Sequence, residues 1–118
     1  MTDPARRLAP VVRVAPAKLN LTLAVLGRRP DGYHDLHSVV VPLALSDRLS
    51  LAVQPGAASD SLHVAGFDPG PPAANLVLRA IAAARRAAAP LAGGPAALPA
   101  LAARLEKRIP VAAGLGGG

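Results

Sequence analysis

The sequence has no cysteine and no tryptophan, and only one phenylalanine and one tyrosine among its 118 residues. The absence of cysteine excludes disulfides, thiol catalysis and thiolate metal sites together, and makes a cytosolic (cytoplasmic) setting the simplest expectation. With Phe67 and Tyr33 as the only aromatic residues, the core must be aliphatic, and Tyr33 stands out by default. Long apolar runs are also missing. The longest, Val39 to Leu45, contains Pro42 and falls far short of a membrane span. Residues 1–10 carry arginines with no apolar run behind them, so they do not read as a secretory signal; they read as a disordered lead-in.

Acidic residues are few, 7 against 13 basic ones, giving a formal charge of +6. The basic residues occur in scattered pairs (Arg6-Arg7, Arg28-Arg29, Arg85-Arg86, Lys107-Arg108) with no aromatic interleaving and no helix-turn-helix or zinc pattern. Neither a nucleic-acid nor a membrane partner is expected, although a basic polyanion-binding module is a reading from a different class. Lysine is scarcer still. Only Lys18 and Lys107 are lysines, so arginine is the default cation, and a lysine marks a position where a compact point charge is used.

A chain of this length allows one domain with a modest core. From Val11 to Leu26 the pattern is that of a half-buried strand, with Leu19, Leu21, Leu23 and Val25 alternating with Asn20, Thr22 and Ala24, which puts Lys18 and Asn20 on one face. Gly27 to Gly32 is a loop by its Gly, Pro and Asp-Gly content. His37 to Leu43, Arg48 to Val53 and Ser61 to Val64 read as further short strands joined by Pro- and Gly-rich connections, which suggests an antiparallel meander. Asn75 is placed as the N-cap of a helix over Leu76 to Ala89, stopped by Pro90, with residues 90–99 as a linker. Propensity favours a helix over residues 100–109, whereas Leu101, Ala103, Leu105, Lys107 and Ile109 also fit strand alternation.

Three stretches can carry chemistry. The first is the run Pro110-Val111-Ala112-Ala113-Gly114-Leu115-Gly116-Gly117-Gly118, whose glycines let backbone N–H groups converge on an anion; by composition alone it is also a flexible tail. It is neither a Rossmann fingerprint nor a Walker loop, since it has no Gly-Lys-Ser/Thr. In the second, Lys18 and Asn20 at the start of a strand can neutralise phosphate charge and hold a hydroxyl, or can simply lie on a solvated face. In the third, Tyr33 can stack on a planar base and His34 can bond its edge; the plainer alternative is a core tyrosine beside a surface histidine. His34 and His37, three apart in a strand, point to opposite faces and cannot close on one ion, so no metal site is assigned; His63 is placed at the surface.

Taken together and in order, Ala15-Pro16-Ala17-Lys18-Leu19-Asn20-Leu21, Asp31-Gly32-Tyr33-His34, Asn75-Leu76-Val77, Lys107-Arg108-Ile109-Pro110 and Gly114-Leu115-Gly116-Gly117-Gly118 resemble the diphosphocytidyl-methylerythritol kinases, members of the GHMP superfamily that also holds galactokinase, homoserine kinase and mevalonate kinase. The resemblance implies an α+β fold, the two-layer sheet-and-helix N-terminal domain of the GHMP kinase type, with residues 11–118 forming an incomplete copy cut within the glycine-rich ATP loop. It makes residues 100–109 a strand. It also implies transfer of the ATP γ-phosphoryl group, with Mg²⁺, to the 2-hydroxyl of diphosphocytidyl-methylerythritol in isoprenoid synthesis.

By that likeness Lys18 is the catalytic lysine, Asn20 holds the methylerythritol, and Tyr33 and His34 bind the cytosine. Asn75, Leu76, Val77 and Lys107 match adenosine-side positions, and Pro110 to Gly118 match the phosphate loop. Homoserine or mevalonate-type kinases are the alternative within the superfamily. Ala112 and Ala113 depart from the loop pattern, where glycines are often found. The serines, helix and general-base aspartate expected after the loop are not in this sequence, so the 118-residue chain by itself is expected to be inactive and to fold poorly.

Overall fold

The computed structural model describes residues 8–94 and 97–117, so most of the lead-in, part of the linker and Gly118 lie outside the described residues. Its elements are β1 (Val11–Arg28), β2 (His34–Gln54), β3 (Ser61–Gly66), a single 3₁₀ turn (Pro72–Ala74), α1 (Leu76–Ala92) and β4 (Ala100–Lys107). The four strands form one sheet in the order β1-β2-β4-β3.

β1 and β2 pair antiparallel along nearly their full lengths as a hairpin, from Val11 opposite Leu51 to Arg28 opposite His34. The two strands expected over 37–43 and 48–53 are one 21-residue strand. Pro42 does not break it because β4 covers only Arg48 to Gln54, and among the described residues no strand pairs with the other edge of β2 at Pro42, where a missing N–H costs no ladder bond. Pro16 is tolerated for the same reason, as β1 is an edge strand, and a register shift follows it between Pro16 and Lys18.

The meander expectation is corrected. β4 enters between β2 and β3, antiparallel to β2 and parallel to β3, so the chain runs from β3 through α1 to its parallel neighbour β4. A parallel pair needs such a crossover, and α1 supplies it. β4 is a strand despite its helical propensity because alternate residues face the core: Ala103, Leu105, Lys107 and Ile109 are all buried. At its end Gly66, with φ +97°, approaches so closely that an added Cβ would sit 2.1 Å from the Lys107 carbonyl oxygen.

α1 begins where the sequence placed it. The Asn75 Oδ1 accepts from the amides of Val77 (2.8 Å) and Leu78 (3.4 Å). It runs past Pro90, which lies in its last turn, and ends at Gly93 in the left-handed region, with the Gly94 amide returning to the Ala89 carbonyl. The helix contacts β3 and faces the β2–β4 part of the sheet across a gap. Its facing residues include Ala80, Ala84 and Ala88, too small to fill the space, and an apolar cleft of about 400 Å³ remains against Leu49, Leu51 and Leu101.

Arg85 staples helix to sheet. Its guanidinium meets the Asp60 carboxylate and the carbonyls of Leu98 and Pro99, while Asp60 also accepts from the Leu101 amide at 2.8 Å. Burial alone would raise the Asp60 pKa, but the Leu101 amide and Arg85 together hold it below the ordinary aspartate value.

The hairpin beyond the reach of α1 is not half-buried as expected. Leu19, Leu21, Leu23 and Val25 are 42–61% exposed, and Leu36, Val39 and Val40 on the partner strand are exposed too. Period-2 alternation identified the strand correctly, but no described element covers that face.

Candidate functional site

The loop that follows β4 folds back against β1. The Lys18 amide donates to the Leu115 carbonyl at 2.8 Å, and the Lys18 ammonium donates to the Gly114 carbonyl at 2.9 Å and to Asn20 Oδ1 at 3.1 Å. Lys18 and Asn20 therefore share a face, as the alternation requires, and that face carries the glycine loop. The approach is close: a Cβ on Gly116 would lie 3.1 Å from Lys18 Cγ. Gly114 and Gly116 have φ of +75° and +81°, and Ala112 takes φ +58°, a left-handed conformation that a non-glycine residue adopts at a cost of about 1 kcal/mol.

Two features suit the loop to an anionic ligand. Among the described residues no acceptor meets the N–H groups of Gly114, Leu115, Gly116 and Gly117. A lysine ammonium stands beside the same residues. Unpaired amides next to a fixed cation favour a phosphate-like group. Gly118 lies outside the described residues.

Beneath the loop is a buried ion pair that sequence reasoning missed. Lys107 is 2% exposed and its ammonium reaches Asp47 Oδ2 at 2.6 Å. Asp47 Oδ1 accepts from the amides of Arg108 (2.7 Å) and Ile109 (2.8 Å), the first residues after β4. Burial pushes the Asp47 carboxyl upward, but the Lys107 ammonium and those two amides outweigh it and hold the pKa below the usual aspartate value. Asp47 sits in Leu45-Ser46-Asp47-Arg48, where no spacing or motif distinguishes it from a surface acid.

The remaining sequence-selected residues lie elsewhere. Tyr33 and His34 are at the hairpin tip, ten residues farther along β1 than Lys18 by the strand register, or about 30 Å of strand path. Pro30, Asp31 and Gly32 (φ +87°) form the turn, the Gly32 amide donates to the Arg29 carbonyl, and Asp31 accepts from the Tyr33 amide at 3.0 Å, which leaves Tyr33 71% exposed. Asn75 is buried with its side-chain oxygen committed to the helix cap, Val77 is half-buried and Leu76 is exposed. Among the described residues no group of three His, Asp or Glu side chains is placed to hold a metal, and no helix is long and apolar enough to cross a membrane.

No family model matches the chain. It is 48% identical over 109 residues to the 4-diphosphocytidyl-2-C-methyl-D-erythritol kinase of Pelotomaculum thermopropionicum, covering 92% of this chain and 35% of that protein. It is 49% identical over 104 residues to the kinase of the same name from Deinococcus radiodurans, covering 88% and 31%. A crystal structure of 4-(cytidine 5'-diphospho)-2C-methyl-D-erythritol kinase superposes with a TM-score of 0.68 at 41% identity, over 91% of this chain and 35% of that one. The chain spans about a third of the length of the curated relatives it matches.

Proposed function

We propose, since the chain belongs to the 4-diphosphocytidyl-2-C-methyl-D-erythritol kinase family and has its α+β fold, that the protein carrying it transfers the ATP γ-phosphoryl group to the 2-hydroxyl of diphosphocytidyl-methylerythritol in the cytoplasm. The observation that carries this reading is the Lys18 ammonium held 2.9 Å from the Gly114 carbonyl, beside loop amides that meet no described acceptor.

In this reading the amides of residues 114–117 take the phosphates, with the rest of the loop from Pro110 to Gly118 shaping the cradle. Lys18 neutralises charge on the transferring phosphoryl group, and Asn20 orients the acceptor hydroxyl. Most of the catalysis is positioning and electrostatic stabilisation. Tyr33 stacks on the cytosine and His34 bonds its edge. Asn75, Leu76 and Val77 border the adenosine side at the start of α1.

Mg²⁺ supplies charge neutralisation on the nucleotide. The described residues do not form a cage for it, because Asp47, the acid beside the loop, is already engaged by Lys107 and two amides.

The test is an assay of the complete protein with ATP and diphosphocytidyl-methylerythritol, reading the phosphorylated product by mass spectrometry, with homoserine and mevalonate as competing acceptors. Phosphorylation of the cytidylyl substrate alone is the expected result. Preference for homoserine or mevalonate would replace it with another GHMP kinase activity.

A further inference from the structure

The glycine loop meets the Asp47–Lys107 pair at two places. At the entry, Asp47 Oδ1 takes the amides of Arg108 and Ile109 at 2.7 and 2.8 Å. Among its glycines, Gly117 lies so close that an added Cβ would be 2.9 Å from the Lys107 ammonium nitrogen and 2.5 Å from Ile109 Cγ2. The carboxylate comes from β2, 60 residues before Lys107 in sequence, so the pair ties the loop to the central part of the sheet.

Lys107 is an unusual residue to bury in this chain, where arginine is the default cation. A guanidinium is broader and planar, whereas an ammonium fits beneath a glycine and still saturates one carboxylate oxygen. With Lys107 2% exposed and its charge matched by Asp47, its ammonium is turned away from solvent and toward the underside of the loop.

We propose that Asp47 is the positioning residue of the phosphate loop, holding its entry amides directly and supporting Gly117 through the Lys107 ammonium packed beneath it. The proposal rests on reading the loop as a phosphate site. It assigns Asp47 no contact with substrate; the carboxylate acts by holding the amides of residues 114–117 in one arrangement before an anion arrives, which lowers the ordering cost of binding.

A buried pair of this kind could instead serve stability alone, and the two roles separate experimentally. In the complete protein, Asp47→Asn keeps an oxygen for the two amides but removes the charge facing Lys107. Hydrogen exchange in the segment from Arg108 to Gly117 should accelerate by about tenfold or more, the scale of a lost charge-assisted hydrogen bond. KM for ATP should rise by about tenfold, out of proportion to any change in kcat.

A lower melting temperature with loop exchange and KM unchanged would overturn the proposal and leave a purely stabilising pair. Should Asp47→Asn not fold, Lys107→Met removes the ammonium beneath Gly117 while Asp47 keeps the Arg108 and Ile109 amides, and it must raise KM for ATP; an unchanged KM there also overturns the proposal. If the wild-type protein neither binds nor turns over ATP, the kinase reading falls, and the exchange rates of residues 108–117 still decide whether Asp47 positions the loop.

Discussion

The Lys18 ammonium lies 2.9 Å from the carbonyl oxygen of Gly114, a residue 96 positions later in the chain. The contact joins the edge strand of the sheet to the glycine loop and places the positive charge where the loop amides are. Replacing Lys18 with Met should reduce phosphoryl transfer by about a hundredfold or more, the usual loss for one electrostatic donor. Lys18→Arg should not recover it, because a broad guanidinium cannot take the place of a compact ammonium between Asn20 Oδ1 and Gly114. Steady-state kcat measurements check this, and turnover within tenfold of wild type in Lys18→Met would remove Lys18 from the catalytic role.

Glycines of the loop should not be equivalent. A Cβ at Gly117 meets Ile109 Cγ2 at 2.5 Å, whereas one at Gly114 meets nothing within 4 Å and bears only the strain of φ +75°. Gly117→Ala should therefore raise KM for ATP much more than Gly114→Ala, whose cost is limited to about 1 kcal/mol of backbone strain. Equal effects in nucleotide titrations would show that the close packing around Gly117 does not govern the loop.

Asn75 carries a structural role that can be separated from any nucleotide contact. Asn75→Ala should lower stability by about 1 kcal/mol through loss of the helix cap. Asn75→Asp should keep the cap and the melting temperature; if the proposed adenosine side is right, it should also weaken ATP binding, since it adds negative charge beside the anionic nucleotide. Thermal melts and nucleotide titrations on the same samples distinguish the two; full ATP affinity in Asn75→Asp would take that side chain out of the nucleotide site.

Stability should fall in acid through Asp60. Its pKa is lowered in the folded state, so the unfolded chain protonates first, and the stability contributed by the carboxylate is complete above the unfolded value of about 3.9. It is lost as pH drops through the folded value. Asp60→Asn should melt below wild type near neutral pH, with the difference shrinking as pH approaches 3. A gap that stays constant across that range would mean that the charge on Asp60 contributes nothing, and that only its shape matters.

Particular residues show where sequence reasoning succeeds. Alternation from Leu19 to Val25 located β1, and the Asn75 cap located the start of α1, because both are properties of neighbouring residues. The glycine run and the Lys18–Asn20 pairing were legible for the same reason: spacing along a strand fixes which side chains share a face. Pro90 misled because a proline's cost depends on whether its missing N–H has a partner to lose, which its position in the helix's last turn decides.

What the sequence alone determined was therefore local: strand and helix periodicity, one cap, one tight turn and the composition of one loop. Tertiary structure decided the rest. Insertion of β4 between β2 and β3 brought Asp47 to Lys107, the placement of α1 over the sheet brought Arg85 to Asp60, and folding the loop onto β1 brought Gly114 to Lys18. Those pairings join residues far apart in the chain, and no local propensity encodes them. They form because a buried ammonium or carboxylate must find an opposite charge or a free backbone group wherever the fold provides one.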